Sequence, residues 1–511
     1  MKLAELISGS AGQIRAGDAG VEIAGLSYDS RRVQPGHLFF ATAHDGAANR
    51  ANIEDALSRG ARAVVMRRWE GPIARPAVTW IESERPRLLM AAAASRFYHA
   101  PSERLELAGI TGTSGKTTSA YLLASIFESA GAPSGIVGTI GIFVGDRMLE
   151  GGLTTPESID FEAALSAMEA GGVRRVAAEI SSIGLEEGRV EALNFQGCLF
   201  TNLGRDHLDY HGSNEKYFAA KRRLFTELLP RTKRPSPVAV VRGDDPYGAE
   251  ILSAVSGRKV SFGMQPGFDV HPTAHTAGLG GIRAEISALG KKIEIESPLL
   301  GEINLINILG VSAMSVALGI ETDAVVEGVR RCPGAPGRLE MVPGPPGTTV
   351  LVDYAHKPDA LEAVLRNLRA LEPARLICVF GCGGDRDRGK RPLMGAIAGR
   401  LADLAILTSD NPRTEDPLAI IGEVEAGLKQ AGMPRTVIAS GSKGGYFVQP
   451  DRRAAIELVL RSARPGDVIV IAGKGHEDYQ IIGTNKRHFD DREVVREFMS
   501  GASQRKQETA N

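Results

Sequence analysis

Two spacings of apolar residues alternate along most of this chain. Short apolar runs at Leu105 to Ile110, Arg175 to Ile180 and Phe195 to Leu203 predict buried strands. Between such runs apolar residues return every three or four positions, as on one face of a helix. Ala120, Leu123, Ala124 and Phe127 form one such face, and Gly131 with Pro133 beyond it marks its end. Arg87 to His99 reads as a helix, and the turn at Pro101-Ser102 closes a first unit. Asp269 to Glu296 alternates and is glycine-rich, which predicts a β excursion. The prolines and glycines of Cys332-Pro-Gly-Ala-Pro-Gly-Arg338 cannot continue a helix or a central strand, so a boundary falls there. Beyond it, strand candidates at Thr349 to Val352, Leu376 to Phe380, Leu404 to Thr408 and Val468 to Ala472 alternate with helical patterns such as Leu361, Val364, Leu365 and Leu368. That order predicts a parallel, doubly wound sheet. The polar tail from Ser503 is expected to fray.

With 511 residues, about three domains are expected. Composition is that of a globular protein, with 43% hydrophobic and 24% charged residues. A net charge of −1 offers no broad cationic face, which argues against nucleic acid as a partner. Cysteines 198, 332, 378 and 382 form no CxxC pair and no disulfide framework, and Cys378 and Cys382 are expected in packing. No window approaches a membrane span and no leader pattern opens the sequence, so a cytoplasmic protein without a membrane partner is expected. A monomer is the expected state.

The most informative stretch is Gly109-Ile-Thr-Gly-Thr-Ser-Gly-Lys-Thr-Thr118, which lies between an apolar run and a helical pattern. A strand, a glycine-rich turn and a helix start aim backbone N–H groups and the positive helix end at one point, where a phosphate can sit. Lys116 would reach the terminal phosphates and Thr117 would offer its hydroxyl to Mg²⁺, making ATP the expected ligand. The usual pattern has a glycine where Ile110 stands, and the plain alternative is a tight turn with a chance Gly-Lys-Thr.

Four polar stretches follow the strand candidates of the last unit: Asp353-Tyr-Ala-His356, Gly381 to Arg391, Asp410-Asn-Pro-Arg413 and Gly473-Lys-Gly-His-Glu477. In doubly wound sheets ligands bind at that edge. Any one stretch could be an ordinary polar loop; together they predict a site, and its arginines with Glu477 suit a zwitterion. Earlier in the chain, Glu179 ends a strand and could be an oxygen ligand for Mg²⁺, or a solvent-facing carboxylate. Arg205 to His211 is a further polar cluster in which His211 could simply cap a turn, and Lys221 could be an exposed helix lysine.

Taken together, Gly112-Thr-Ser-Gly-Lys-Thr-Thr118, Thr154-Thr-Pro156, Glu179-Ile-Ser-Ser182, Asp206-His-Leu-Asp-Tyr-His-Gly212, Pro336-Gly-Arg338, Asp353-Tyr-Ala-His356, Asp410-Asn-Pro-Arg413 and Gly473-Lys-Gly-His-Glu477 resemble the Mur ligase family, in its diaminopimelate-adding kind. The resemblance runs from the Asp29-Ser-Arg31 region to about residue 495. It implies an α/β chain of three domains: an N-terminal one for the UDP end of the substrate (1–102), a central P-loop-type ATPase (103–337) and a C-terminal Rossmann-like parallel sheet for the incoming amino acid (338–511). It implies amide synthesis through an acyl phosphate, with UDP-muramoyl dipeptide and meso-diaminopimelate as substrates and ATP and Mg²⁺ as cofactors.

The same resemblance implies roles for single residues. Gly112, Thr113, Ser114, Gly115, Lys116, Thr117 and Thr118 would cradle the nucleotide, with Asn304, Asn307, Arg338 and Asp353 at adenine, phosphate and ribose. Thr117 and Glu179 would hold one Mg²⁺, His207 would help hold a second, and Lys221 would be carbamylated, since a carbamate offers Mg²⁺ the oxygens an ammonium lacks. Tyr28, Ser30, Thr154, Thr155, Ser181 and Arg189 would grip the UDP-muramoyl dipeptide. Arg386, Asp410, Asn411, Pro412, Arg413, Gly473 and Glu477 would form the diaminopimelate pocket. Lysine-adding relatives typically lack the arginine at 413; an arginine left buried and unpaired costs ~3–5 kcal/mol, which disfavours lysine here.

The chain departs from the family at Ser114, where asparagine is usual, and at Ile183, where histidine is common. The stretch His44 to Asn49 also lacks the usual Asp-Gly at 48 and 49. Three rival readings accompany the first: a lysine-adding homologue, a folylpolyglutamate synthetase-like ligase, and a non-catalytic nucleotide-binding regulator. The main reading requires the anion cradle near residue 116 and the zwitterion pocket around residue 413 to confront each other across a crevice.

Overall fold

The computed structural model describes residues 1–43, 45–68, 77–145, 147–436 and 444–508. The chain divides into two compact units: Met1–Thr273 with Ile286–Ile293 and Asn307–Val329, and Ala274–Glu285 with Glu294–Ile306 and Arg330–Asn511. Residues 1–102 and most of the expected central domain therefore share one unit.

In the first unit, Gln13–Ala16, Thr79–Glu82, Ala63–Met66, His37–Phe40 and Gly25–Ser27 lie side by side in that order, parallel except for the first. Side chains alternate between the two faces of a strand. Leu38, Phe40, Val65 and Ile81 thus join Leu89, Met90 and Ala93 of helix Pro86–Phe97, while Phe39, Val64 and Trp80 join Ile53 and Ala56 of helix Gly46–Ser58.

The second sheet of this unit carries the order Arg147–Glu150, Ile142–Val144, Ser134–Val137, Arg175–Glu179, Glu106–Thr111, Phe195–Phe200, Val238–Arg242, Arg258–Phe262. It is parallel from Ser134–Val137 onward, and the strand Val270–Gly278 joins it with Phe262 opposite Val270. Three strands, Val270–Gly278, Gly281–Ala288 and Lys291–Ser297, fill the region expected to be a β excursion. Register is what builds the site. Glu179 lies beside Ile110 and Phe200 beside Thr111, so three neighbouring strands release their loops at one edge. Helix Lys116–Ser129 buries Ala120, Leu123, Ala124 and Phe127 as its spacing predicts, and ends before Gly131 at φ +76°.

Helix Ser158–Ala170 buries a carboxylate, Glu162, at 1% exposure. The Ser95 hydroxyl is near enough to favour its charged form, but neither Glu162 oxygen makes a hydrogen bond of normal geometry, and burial pushes its pKa up to about 8. The native state therefore holds a proton that the unfolded chain releases near its ordinary pKa of 4.5. The associated stability is full below that value and is lost as pH rises toward 8. Glu162→Gln is expected to remove this slope and to raise stability at pH 8 by on the order of 1–2 kcal/mol. Urea unfolding of both proteins at pH 5 and pH 8 checks it; equal differences at the two pH values would contradict it.

The second unit has the sheet order Glu340–Val342, Thr349–Asp353, Asp467–Ala472, Arg375–Phe380, Leu404–Leu407, Gly445–Val448, parallel except for the first strand. Helices cover both faces. Leu361, Leu365 and Leu368 of Pro358–Arg369 pack on one with Cys378 and Cys382, and Ile456 and Val459 of Arg452–Ser462 on the other. The last helix, Asp491–Glu508, continues past Ser503, where fraying was expected. Gln, Arg, Lys and Glu are good helix formers, so polarity alone does not end a helix. Among the described residues no helix is long and apolar enough to cross a membrane. All four cysteines are buried free thiols.

Candidate active site

The glycine-rich loop is held from outside by the neighbouring strand end. Gly112 has φ +151°, and a Cβ there would fall 1.9 Å from Thr201 Oγ1. Thr113 N donates to Asn202 O (3.0 Å), Ser114 N to Asn202 Oδ1 (3.0 Å), and Thr201 Oγ1 to Ser114 O (2.7 Å). At Gly115, φ +85°, a Cβ would meet Asn307 Oδ1 at 2.4 Å, which brings Asn307 to the loop. Lys116 folds back over the loop, its Nζ donating to Gly112 O (2.7 Å) and Thr113 O (3.1 Å). Thr117 and Thr118 follow in the buried first turn of the helix.

Glu179 is buried at 1% exposure and gathers the hydroxyls around it. Thr117 Oγ1 donates to its Oε2 at 2.9 Å, Thr139 Oγ1 to the same oxygen at 3.0 Å, and Thr139 N to Oε1 at 2.9 Å. Thr154 reaches this group through Thr139 (3.1 Å between hydroxyls), and Thr155 Oγ1 donates to Glu179 O (2.8 Å) while accepting from Ser181 N (2.9 Å). Ser181 Oγ caps the short helix Ser182–Glu186. Arg189 donates to Thr155 O (3.1 Å) and pairs with Glu157 (3.0 Å).

Lys221, on helix Asn214–Arg223, is not an exposed lysine: it is 1% exposed. Its Nζ donates to Gly112 O at 2.9 Å and lies 4.7 Å from the Tyr217 ring centre. Burial drives its pKa well below the ordinary lysine value; the nearby Lys116 adds to this and Asp206 opposes it. Tyr217 OH lies 3.1 Å from Thr113 Oγ1, closing the group. His207 has φ +52°, is about one-third exposed, and stands 3.5 Å from Asp206 and 6.2 Å from the Tyr217 ring.

Tyr28 and Ser30 sit apart from this cluster. Tyr28 OH donates to Asp160 Oδ2 (2.5 Å) beside a cavity of about 620 Å³ that Arg32, His37 and Tyr98 also line. Ser30 is buried in the turn Ser30–Arg32.

In the second unit Asp353 is buried at its strand end and accepts from Leu339 N and Ala355 N, both at 2.8 Å. Burial raises its pKa and Arg338 opposes the shift. The Arg338 guanidinium lies 4.8 Å from the Tyr354 ring, which also packs against His476 at 5.0 Å. Burial, then Arg338 and Arg492, push His476 down to about 4, so it is neutral at working pH. Asn304 donates to Leu300 O (2.9 Å), one helical turn before Asn307.

The remaining pocket residues meet at the next strand ends. Asn411 Nδ2 donates to Glu477 Oε2 (3.0 Å), and its Oδ1 accepts from Ile481 N (2.9 Å). Gly473, φ +118°, would place a Cβ 3.6 Å from Asp410 Oδ2. Arg413 has φ +51°; its N donates to Ile481 O (3.1 Å) and its carbonyl accepts from Gly483 N (2.7 Å), so its main chain makes a single β-bridge to the hairpin Tyr479–Ile482/Asn485–His488. Its Nη1 donates to Gly384 O (2.7 Å), and among the described residues no carboxylate pairs with it. Pro412 is buried; Arg386 is exposed and donates to Asp385 O (3.1 Å).

Residues 110–315 match the Mur ligase middle domain, and residues 337–475 match the Mur ligase, glutamate ligase domain. A relative from Geobacter metallireducens, UDP-N-acetylmuramoyl-L-alanyl-D-glutamate--2,6-diaminopimelate ligase, is 46% identical over 94% of each chain. The chain belongs to the Mur ligase family. A protein of the same name from Solibacter usitatus is 43% identical over 94% of each chain. A solved structure of an enzyme so named matches at TM-score 0.70 and 32% identity, covering 98% of this chain and 99% of that one.

Seen as a Mur ligase, the chain shows how its departures are accommodated. Ser114 is held through its main-chain N and O, so the loop does not depend on an asparagine side chain there. Ile183 lies in the helix Ser182–Glu186; His211, far from capping a turn, is buried with Nε2 3.0 Å from Ser182 Oγ. His44 is outside the described residues, but Asp45 caps helix Gly46–Ser58 and Asn49 Oδ1 accepts from Ala43 N (3.0 Å). Thr139, Thr201, Asn202, Tyr217 and Lys474 belong to the two clusters without having been picked out as single residues from the sequence. Gly138 carried a usable signal: a Cβ there would fall 2.2 Å from Glu179 Oε1, so only glycine lets the Thr139 amide reach that carboxylate.

Proposed function

We propose that this Mur ligase joins meso-diaminopimelate to the D-Glu carboxylate of UDP-N-acetylmuramoyl-L-Ala-D-Glu, with ATP converted to ADP and phosphate. The names of the relatives support the reaction, and one observation carries the choice of amino acid: among the described residues the Arg413 guanidinium has no carboxylate partner, and it donates to Gly384 O instead. A second carboxylate on the incoming amino acid can pair with it through two parallel hydrogen bonds. Lysine has none at that centre.

In the first step a substrate carboxylate oxygen attacks the γ-phosphorus and ADP leaves; in the second an amine attacks the acyl carbon and phosphate leaves. Negative charge gathers at both. The N–H groups that open helix Lys116–Ser129 are placed to meet that charge, and Lys116, now on two loop carbonyls, is positioned to exchange them for phosphate oxygens. Mg²⁺ fits the donors present, because the Thr117 hydroxyl and the Glu179 carboxylate are hard oxygens that already meet at 2.9 Å. When bound, it would neutralise phosphate charge, with His207 and a carbamate on Lys221 as further ligands. A carbamate forms from the neutral amine, and burial of Lys221 favours that form. The dipeptide end falls to Thr154, Thr155, Ser181 and Arg189, and the UDP end to Tyr28 and Ser30. Asn307, beside Gly115, would contact the nucleotide at the loop, and Asn304, Arg338 and Asp353 keep the nucleotide-contact roles that family membership suggests for them. The domains are assigned as 1–102, 103–337 and 338–511, and the protein acts as a cytoplasmic monomer.

Phosphate release with UDP-muramoyl dipeptide and ATP tests the reading. Release with meso-diaminopimelate and little with L-lysine is expected. Release with lysine alone, only with a folate substrate, or with none would reject it in favour of the corresponding rival.

A further inference from the structure

One buried cation in the second unit is left unused by the proposed reaction. Lys474 follows the strand Asp467–Ala472 and is 0% exposed. Its Nζ stands 3.4 Å from Asn411 Oδ1, 3.5 Å from Glu477 Oε2 and 3.9 Å from Asp410 Oδ1. Asn411 Nδ2 closes the triangle on the same Glu477 oxygen at 3.0 Å. A buried ammonium is costly unless paired, and here the pairing groups are three residues of the proposed amino-acid pocket.

The surroundings leave this lysine little freedom. Glycines flank it, and a Cβ on Gly475 would fall 2.6 Å from Tyr354 Cβ, so the backbone is pressed against its neighbour. The Tyr479 ring lies 5.4 Å from Nζ. Arg452, the other buried cation nearby, is already held by Asp491 (2.7 Å) and Ala472 O (3.0 Å) and cannot take over. Burial lowers the pKa of Lys474 and Arg452 adds to that shift, while Asp410 and Glu477 oppose it.

We infer that Lys474 is a positioning residue for amino-acid specificity: it joins Ile481 N in holding the Asn411 amide oxygen and ties up Glu477 Oε2, leaving Oε1 for the substrate ammonium. Without it, Asp410 and Glu477 would repel each other and the Asn411 oxygen would lose a donor. This inference rests on the amino-acid pocket proposed above, and its effect should fall on that substrate and not on the nucleotide.

The test compares Lys474→Met, Lys474→Gln and Lys474→Arg with the wild-type enzyme, varying meso-diaminopimelate and ATP separately. Lys474→Met is expected to raise KM for diaminopimelate by about tenfold or more, the scale of coupling between neighbouring charged groups, and to leave KM for ATP within about twofold. Lys474→Arg should recover part of the loss because it restores a cation. In a Glu477→Gln background the same Lys474→Met change should cost much less, since its partner is already gone. Equal rises in both KM values, or additive losses in the double variant, would overturn the inference. If Lys474→Met yields no folded protein, Lys474→Gln carries the same comparison. If the wild-type enzyme turns over no amino acid, the proposed function fails separately. A crystal structure of Lys474→Gln then decides the positioning claim: displaced Asn411 and Glu477 side chains support it, and unmoved ones refute it.

Discussion

Lys221→Ala is expected to lower turnover by about 10²- to 10³-fold, the loss typical of removing one group that stabilises developing charge. Short carboxylates such as formate or acetate should restore part of it. The reason lies in the contrast between the burial of this lysine and its partners. Its Nζ meets a carbonyl oxygen of the phosphate loop, Lys116 is close enough to oppose its charge, and its pKa is driven well down. A bare ammonium there would oppose a divalent cation, whereas a carbamate, made from amine and CO₂ with loss of one proton, presents oxygens. Turnover measured with and without added carboxylate checks the idea. A fully active Lys221→Arg enzyme would defeat it, because a guanidinium stays cationic.

Arg413→Ala should reduce kcat/KM for meso-diaminopimelate roughly a hundredfold, about 3 kcal/mol of lost recognition, while leaving KM for ATP nearly unchanged. Discrimination against L-lysine should shrink in step, since the partner of the distinguishing carboxylate is gone. Arg413 is anchored by one hydrogen bond to Gly384 O, so truncation breaks little besides the substrate contact. Competition between the two amino acids in a phosphate-release assay gives the ratio directly. Equal losses toward both amino acids and ATP would point to collapse of the loop instead.

Much of this was legible in the residues. The alternating apolar runs marked the parallel sheets, and helix Lys116–Ser129 lies where glycine-rich loop and periodicity place it. What the pattern could not convey was contact between distant segments. Asn202 and Thr201 look like ordinary residues after a strand, yet the register of Phe200 against Thr111 sets them beside the phosphate loop. Thr139 reaches Glu179 only because Gly138 allows the approach. Glu162 follows Phe161 on a helix whose packing buries a carboxylate that composition would expose. The hairpin at residues 479–488 was missed for another reason: its strands are mostly intermediate or exposed, so no apolar alternation announces them.

That hairpin separates two tasks that binding loops usually combine. Strand-like bonds from Ile481 and Gly483 secure the peptide backbone at position 413 whatever side chain is attached. If the Arg413 guanidinium selects the two-carboxylate amino acid as proposed, changing that single codon would rewrite the preference with no rebuilding of the scaffold. A residue tolerant of left-handed backbone, such as asparagine, would be the easiest replacement, and a β-branched one the hardest.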